Sequence, residues 1–214
     1  MPIHIDIPIR SISLEEFRNL DYQVMNHAFA SQNAIGSLAD ERVYQVDFAS
    51  RLLAAGFQVD REVQVILSHK TFQKPLYLDH VVNRQAVYEL KFARSLTDAH
   101  KGQLLTYLYL LNLERGKLLN FASKKVQSEF VNAAIPYNER IAFSVDRSEY
   151  NGSQFLLHLI VELVRDWGTS LSVSLYNDAI ISMLGGPEKV QQMLPMRRDG
   201  IEIGNQRFCI ASPP

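Results

Sequence analysis

The chain is poor in cysteine, with Cys209 the only one among its 214 residues. A single cysteine permits no internal disulfide and no cluster of thiolate ligands for zinc or for iron and sulfur. Any metal ion bound by this protein must therefore be held by oxygen or imidazole ligands.

Long apolar runs are also missing, and so is a strong excess of charge of either sign. No stretch of about 18 uncharged apolar residues is available to span a bilayer, so we expect no membrane partner. The N-terminal sequence "MPIHIDIPIR" carries an aspartate where a signal peptide would be apolar, which predicts a cytoplasmic protein. The formal net charge of −1 gives no overall indication of nucleic-acid binding.

Positive charge is nevertheless concentrated in residues 91 to 125. Seven basic residues stand there against the two acids Asp98 and Glu114, a local balance of +5. The seven are Lys91, Arg94, Lys101, Arg115, Lys117, Lys124 and Lys125. The segment is either a solvated surface with charged turns or an electrostatic contact surface for phosphates.

Helix and strand signals alternate along the chain, with no internal repeat. Ser13 and Glu16 form a capping box that predicts a first helix in "SLEEFRNLDYQVMNHAF". A second helix is predicted in "LADERVYQVDFASRLLAAG", ending at Gly56, and a third in "TDAHKGQLLTYLYLLNLERG", from the cap Thr97 to Gly116. Strands are predicted in "FQVDREVQVIL", "PLYLDHVV", "AVYELKFA" and "KLLNFAS". From residue 38 the order helix, three strands, helix, strand indicates a mixed α/β fold.

Two carboxylates and a lysine interrupt the stretch "YLDHVVNRQAVYELKF", which otherwise alternates like a β-hairpin. If "NRQ" is a three-residue loop, Asp79 lies directly opposite Glu89, and Lys91 shares the face of Glu89. Like charges placed across two strands repel, so a cation or a shared proton must relieve them. Mg²⁺, which binds through one or two carboxylates, water and phosphate oxygens, meets this need. The alternative is an ordinary hairpin whose Glu89 and Lys91 point to solvent.

These residues resemble the PD-(D/E)XK nuclease signature, with Asp79 followed after nine residues by "ELK". "QLLTY" resembles the QxxxY motif of the RecB-like branch, here Gln103 and Tyr107. The blocks "ERVYQVDFASRLLAAGFQVDREVQV", "YELKFARSLTDAHKGQLLTYLYLLNLERGKLLNFAS" and "FVNA" are similar to those of the bacterial GxxExxY proteins. The resemblance covers about residues 36 to 134. It departs from the pattern at Leu78, where the signature has proline, and at Gly36, five residues before Glu41 rather than three.

The resemblance implies a Mg²⁺- or Mn²⁺-dependent nuclease that hydrolyses DNA. Its core would be a helix, a three-stranded antiparallel meander, a helix and a strand. The implied metal ligands are Asp79, Glu89, the backbone carbonyl of Leu90, and Glu41 from the preceding helix. Lys91 would orient or activate water, while Gln103 would steady Lys91 or contact DNA. The implied nucleic-acid contacts are Arg94, Lys101, Gln103 and Tyr107. The alternatives are a non-catalytic nucleic-acid- or protein-binding member of the same fold and a structural or oligomeric scaffold in which the acids are incidental.

We expect an N-terminal helical segment in residues 1–35, the nuclease-like core in 36–135, and a C-terminal extension packed on the core in 136–214. "SQFLLHLIVELVRDWG" is apolar almost all round, which predicts a helix buried in the domain or at a contact between copies of the chain. "SLYNDAIISMLGGPEKVQQML" is predicted to be helical with a break at "GGP", and "RRDGIEIGNQRFCIA" to form a hairpin with turns at Asp199-Gly200 and Gly204-Asn205.

Overall fold

The computed structural model describes residues 3–36 and 39–209. The helices are α1 (Leu14–Ile35), α2 (Glu41–Ala54), α3 (Asp98–Leu111), α4 (Tyr137–Ile141), α5 (Gln154–Trp167), α6 (Val173–Met183) and α7 (Pro187–Val190). The strands are β1 (Ile3–Ile5), β2 (Val59–His69), β3 (Phe72–Val82), β4 (Ala86–Lys91), β5 (Arg115–Asn120), β6 (Gln127–Asn132), β7 (Gln191–Arg198) and β8 (Ile201–Cys209). None of the helices in the described residues is long and apolar enough to cross a membrane.

A mostly antiparallel sheet organises the molecule. Its six strands follow the chain order from β1 to β6, while β7 and β8 form a separate two-stranded sheet. Within the six-stranded sheet, β4 and β5 pair in parallel, with α3 as the connection between them, and the other neighbours are antiparallel. The expectation of a mixed α/β fold is therefore confirmed.

Helices α1 and α2 cover one face of the sheet. The capping box predicted for α1 is present, because Ser13 Oγ accepts from the Glu16 amide and Glu16 accepts from the Ser13 amide. Phe17 and Phe48 from these helices are buried with Tyr88 of β4 in one apolar cluster. The Tyr88 face of β4 is therefore occupied by structural packing, which leaves the alternate residues of β4 for the other face.

Helix α3 covers that other face. Leu104 and Leu108 pack against Val87 of β4 in a second apolar cluster. The prediction that α3 runs to Gly116 is wrong, because Asn112 adopts the left-handed conformation (φ 53°) and ends the helix. Gly116 instead lies in β5, where an added Cβ would sit 3.1 Å from the Val87 carbonyl oxygen and 3.2 Å from each of two leucine side chains.

The β2–β3 hairpin reverses its faces partway along. Val59 packs in the cluster under α1 and α2, yet Val63, four residues later, packs in the cluster under α3. Residues four apart in a regular strand face the same side, so the strand must rotate between them. Glu62 has a positive φ of 49°, and the ladder passes from the Arg61–His80 pair to the Val63–Leu78 pair without pairing Glu62 with Asp79. This interruption places Asp79 at a corner of the sheet.

Helices α5 and α6 pack on the distal part of the β2–β3 hairpin. Trp167 and Leu163 are fully buried in a third cluster with Leu67 of β2. Helix α5 packs in the domain along one side, where Leu163 and Trp167 are buried, whereas Phe155 on its other side is 53% exposed. The division into three segments, and a contact between copies through the extension, remain predictions.

The C-terminal hairpin is present as β7 and β8. Asp199 and Gly200 both have positive φ (52° and 81°) and form the predicted turn. The second predicted turn is wrong, because Gly204 and Asn205 lie inside β8 and pair with Met196 and Pro195. The sequence "QQML" belongs to β7 rather than to a helix.

Candidate active site

The β3–β4 hairpin has the predicted three-residue loop. Val82 pairs with Ala86 and Val81 with Val87, which confirms the expected register. The ladder between these fully described strands ends at the next pair, His80 and Tyr88. The expected backbone pairing of Asp79 with Glu89 is thus absent from it, because the strands separate at the corner that Glu62 introduces.

The carboxylate of Asp79 fills the gap where the two strands separate. Its Oδ2 accepts a hydrogen bond of 2.7 Å from the Leu90 amide. A backbone donor that would otherwise lose its ladder partner is satisfied by a side chain, as buried amides require. The side chain of Asp79, a residue of β3, is consequently held against β4 at Leu90, the residue that follows Glu89.

Glu89 is almost completely buried, with 1% of its side chain exposed. Its Oε1 accepts a bond of 2.8 Å from Lys91 Nζ, and the lysine side chain is 16% exposed. The other oxygen, Oε2, is buried and has no hydrogen-bond partner among the described residues. An ordinary hairpin with Glu89 and Lys91 directed to solvent is therefore excluded. The unpartnered Oε2 is the atom that a proton or a metal ion would satisfy.

Burial and mutual repulsion perturb the acid–base behaviour of this cluster. Burial, helped by the charge of Asp79 and opposed by Lys91, raises the pKa of Glu89 to about 7. Burial also raises the pKa of Asp79, although the Leu90 amide and Lys91 act in the other direction. For Lys91, burial alone would lower the pKa, but the carboxylates of Glu89 and Asp79 outweigh it and the pKa is raised. Near neutral pH the two acids therefore share less than two negative charges.

Glu41, at the first position of α2, lies close enough for its charge to raise the pKa values of Asp79 and Glu89. Its Oε1 accepts from Gln45 Nε2 at 3.2 Å. Across residues 3–36 and 39–209, no three His, Cys, Asp or Glu side chains come together as a ready metal-binding group. The donor set that fits a metal is therefore the pair Asp79 and Glu89, which suits a Mg²⁺ ion that keeps several waters.

Gln103 and Tyr107 lie on one face of α3, and the Tyr107 ring is near the acids. Gln103 Nε2 donates to the Tyr107 hydroxyl at 3.0 Å, so in this structure the glutamine steadies the tyrosine rather than Lys91. Burial raises the pKa of Tyr107, and the charges of Glu89 and Asp79 add to the effect. Tyr107 of the QxxxY pair therefore lies within electrostatic reach of the acid cluster.

The basic segment does not act as one positive surface. Lys117 is buried and paired with Asp21, Arg115 is paired with Glu114, and Lys101 lies 2.6 Å from Glu129. The three cations that are exposed and form no ion pair with any described residue are Arg94, Lys124 and Lys125. The local balance of +5 overstated the charge available to a phosphate backbone.

Glu62 was missed by sequence reasoning. Its carboxylate is close enough to raise the pKa of Asp79, and its backbone is the only non-glycine in β2 with a positive φ. Glutamate in a strand gives no signal of a left-handed conformation, because that conformation is normally marked by glycine or asparagine.

The chain belongs to the PD-(D/E)XK nuclease superfamily, whose family model matches residues 18–132. The match begins within α1, upstream of the resemblance seen in the sequence, and ends with β6. Among solved structures, the crystal structure of SSO0001 is similar to this chain. The two are 18% identical, the match covers 56% of this chain and 78% of that chain, and the TM-score is 0.36. No curated protein sequence matches the chain significantly.

Proposed function

We propose that this protein is a metal-dependent nuclease that hydrolyses phosphodiester bonds in DNA. The observation that carries the proposal is the buried Oε2 of Glu89, which has no partner in residues 3–36 and 39–209 and lies beside Asp79 and Lys91. A carboxylate oxygen buried without a partner is costly in a purely structural site. Membership in a nuclease superfamily supports a nuclease-type function for the same residues.

Asp79 and Glu89 would hold Mg²⁺ or Mn²⁺, with the Leu90 carbonyl and Glu41 as further ligands. When bound, the metal ion would lower the pKa of a coordinated water and stabilise charge on the phosphate. Lys91, held by Glu89, would orient the attacking water and offset the charge that develops on the phosphate oxygens.

The DNA backbone would approach over α3 and the segment that follows β4. Arg94 is exposed there, and Gln103 is exposed on the first half of α3. Lys101 would contribute less, because Glu129 and Asp98 already surround its ammonium. The Gln103–Tyr107 pair supports placement in the RecB-like branch, and Glu41 with Tyr44 supports the GxxExxY group.

A non-catalytic nucleic-acid- or protein-binding module of the same fold is the second candidate. It is favoured by one observation, which is that the described residues offer no group of three metal-ligating side chains. In that case the proton shared by the acids, rather than a metal ion, would satisfy Glu89.

The two candidates are separated by paired assays of cleavage and binding. Linear, nicked, branched and single-stranded DNAs are incubated with Mg²⁺ or Mn²⁺, and binding of the same DNAs is measured in Ca²⁺ or chelator. Lys91→Ala is expected to reduce cleavage on the order of 10²-fold or more, since a preorganised charge is lost. Binding should change little. The loss of one phosphate contact among several changes the slope of log binding constant against log salt concentration by about one unit.

Lys124→Ala is the matched control, because it removes one exposed positive charge from the same basic segment. It should leave the cleavage rate near the wild-type value. Binding without metal-dependent cleavage of any of these DNAs by the wild type would refute the nuclease and favour the binding module.

A further inference from the structure

Asn120, the last residue of β5, has a side chain that is completely buried and fully hydrogen-bonded. Its Oδ1 accepts from the amides of Ala93 and Ala122, at 3.0 and 3.3 Å. Its Nδ2 donates to the Ala93 carbonyl at 2.7 Å and to Gln127 Oε1 at 3.0 Å. One amide group therefore holds both the N–H and the C=O of Ala93.

These bonds begin where the β4–β5 ladder ends. Lys91 is the last residue of β4 and pairs with Asn120, and the Lys91 carbonyl accepts from the Phe121 amide at 3.1 Å. Beyond Lys91 the chain leaves the sheet, and the Asn120 side chain replaces the backbone of β5 as the partner of Ala93. The backbone on the C-terminal side of Lys91 is thus fixed at two successive points.

The chemistry of this clamp requires a side-chain amide. Carboxylates accept but do not donate, hydroxyls are too short to bond both groups of Ala93, and aliphatic side chains do neither. Gln127 of β6 takes the second Nδ2 hydrogen and so fixes which way the amide points. The arrangement therefore extends over β4, β5 and β6.

We propose that Asn120 is a positioning residue for Lys91. By anchoring Ala93, it holds the end of β4 so that the Lys91 ammonium stays at Glu89 Oε1, and it sets the direction in which Arg94 leaves the sheet. The catalytic part of this inference rests on the proposed nuclease function of Lys91. Displacement of a reacting group by about 1 Å can cost about 10²-fold in rate.

The first test is single-turnover DNA cleavage by Asn120→Asp, which keeps the shape and the acceptors but removes the donor to Ala93. The cleavage rate should fall by about 10- to 100-fold, while DNA binding in Ca²⁺ changes by less than about threefold. Asn132→Asp, on the neighbouring strand β6 and exposed, makes the same chemical change and should keep the wild-type rate. If Asn120→Asp fails to fold, Asn120→Ser, which keeps a short donor, is measured in its place.

The second test combines the substitution with Lys91→Ala. If Asn120 acts through Lys91, Asn120→Asp should cause no further loss of rate in the Lys91→Ala background. A residue that merely stabilises the fold would cause the same fractional loss in both backgrounds. Equal losses would overturn the proposal, as would a wild-type rate in Asn120→Asp.

The third test does not depend on activity. In the wild type, the Lys91 ammonium bonded to buried Glu89 should give a protected side-chain signal by NMR, and the Ala93 amide should exchange slowly. The Lys91 signal should be lost in Asn120→Asp and retained in Asn132→Asp, whereas the Ala93 amide keeps its acceptor in both variants and should exchange slowly in both. An inactive wild type would refute the nuclease function alone, and an unchanged Lys91 signal in Asn120→Asp would refute the positioning role.

Discussion

Glu89 should make the metal-free protein less stable as the pH rises from about 4.5 to about 7. Burial, with the charge of Asp79, raises its pKa from the ordinary value of 4.5 to about 7 in the folded chain. Because the folded state holds the proton more tightly than the unfolded state, the contribution of Glu89 to stability is complete below about pH 4.5. That contribution is lost as the pH increases from about 4.5 to about 7.

The size of the effect follows from the pKa difference. A rise in the pKa from 4.5 to about 7 corresponds to a loss on the order of 3 kcal/mol in the free energy of unfolding as the pH increases across this range. With 1% of the side chain exposed, solvent screening reduces this figure little. Glu89→Gln imitates the protonated acid, since its carbonyl can still accept from Lys91 and it does not titrate.

The measurement is urea denaturation of both proteins in chelator at about pH 5 and about pH 8, followed by the fluorescence of Trp167. Trp167 is the only tryptophan and is fully buried. The free energies of unfolding should converge at the lower pH, whereas at the higher pH the variant should be more stable by up to about 3 kcal/mol. Glu149→Gln, at an exposed position, is the control and should follow the wild type. A difference between wild type and Glu89→Gln that does not change with pH would refute this account of the site.

Two further substitutions test the framework around the site. Lys117→Met should lower the free energy of unfolding by about 3–5 kcal/mol, because it leaves the buried Asp21 carboxylate, 2.5 Å from the lysine in the wild type, without its partner. The double variant Asp21→Leu/Lys117→Met should recover most of that loss in the same denaturation assay. Glu62→Gly should be neutral or stabilising by about 1 kcal/mol, since glycine adopts the positive φ of 49° without strain. Gln64→Gly, at a regular position of the same strand, should be destabilising by about 1 kcal/mol, and an equal loss at both positions would contradict the assignment of strain to residue 62.

Local signals were sufficient for the elements that carry the site. The capping box of Ser13 and Glu16 marked the start of α1, and the three-residue loop with alternating apolar residues fixed the first pairs of β3 and β4. The acids and the lysine were found because charge on a buried strand face is unusual. Each of these inferences depends on residues within one or two elements, which is the range over which sequence periodicity is informative.

The strands β1 and β6 could not be predicted in the same way. Strand β1 has three residues and exists because it pairs with the edge of β2. In β6, "QSEFVN", only Val131 is buried, so the strand carries no apolar alternation. Both are held by backbone pairing with a strand that is already in place, and such pairing leaves little trace in composition.

Charge along the sequence was misleading for a related reason. Lys117 counts as one of seven basic residues in a surface segment, yet it lies inside the fold and pairs with Asp21, 96 positions earlier in the chain. A count of charges treats every lysine as exposed, which holds for most lysines but fails when a distant carboxylate is buried beside one. That Lys117 is not an exposed, unpaired lysine could be known only once Asp21 of α1 was placed against β5.

The candidate site contains buried carboxylates that lower the stability of the metal-free fold, and the fold tolerates them. Asp79 reaches Leu90 where the β2–β3 ladder lacks a Glu62–Asp79 pair, and Glu89 is buried on the face of β4 that α3 covers. Lys91 offsets part of the charge, but Glu89 Oε2 still has no partner in the part of the chain that the structure describes. Stability alone would favour an apolar residue at position 89, because replacing a buried ionic group by an apolar one is often neutral or stabilising. A carboxylate at this position therefore agrees with a ligand-binding role. A bound cation would stabilise the folded chain through Glu89 Oε2, the atom that destabilises the fold when metal is absent.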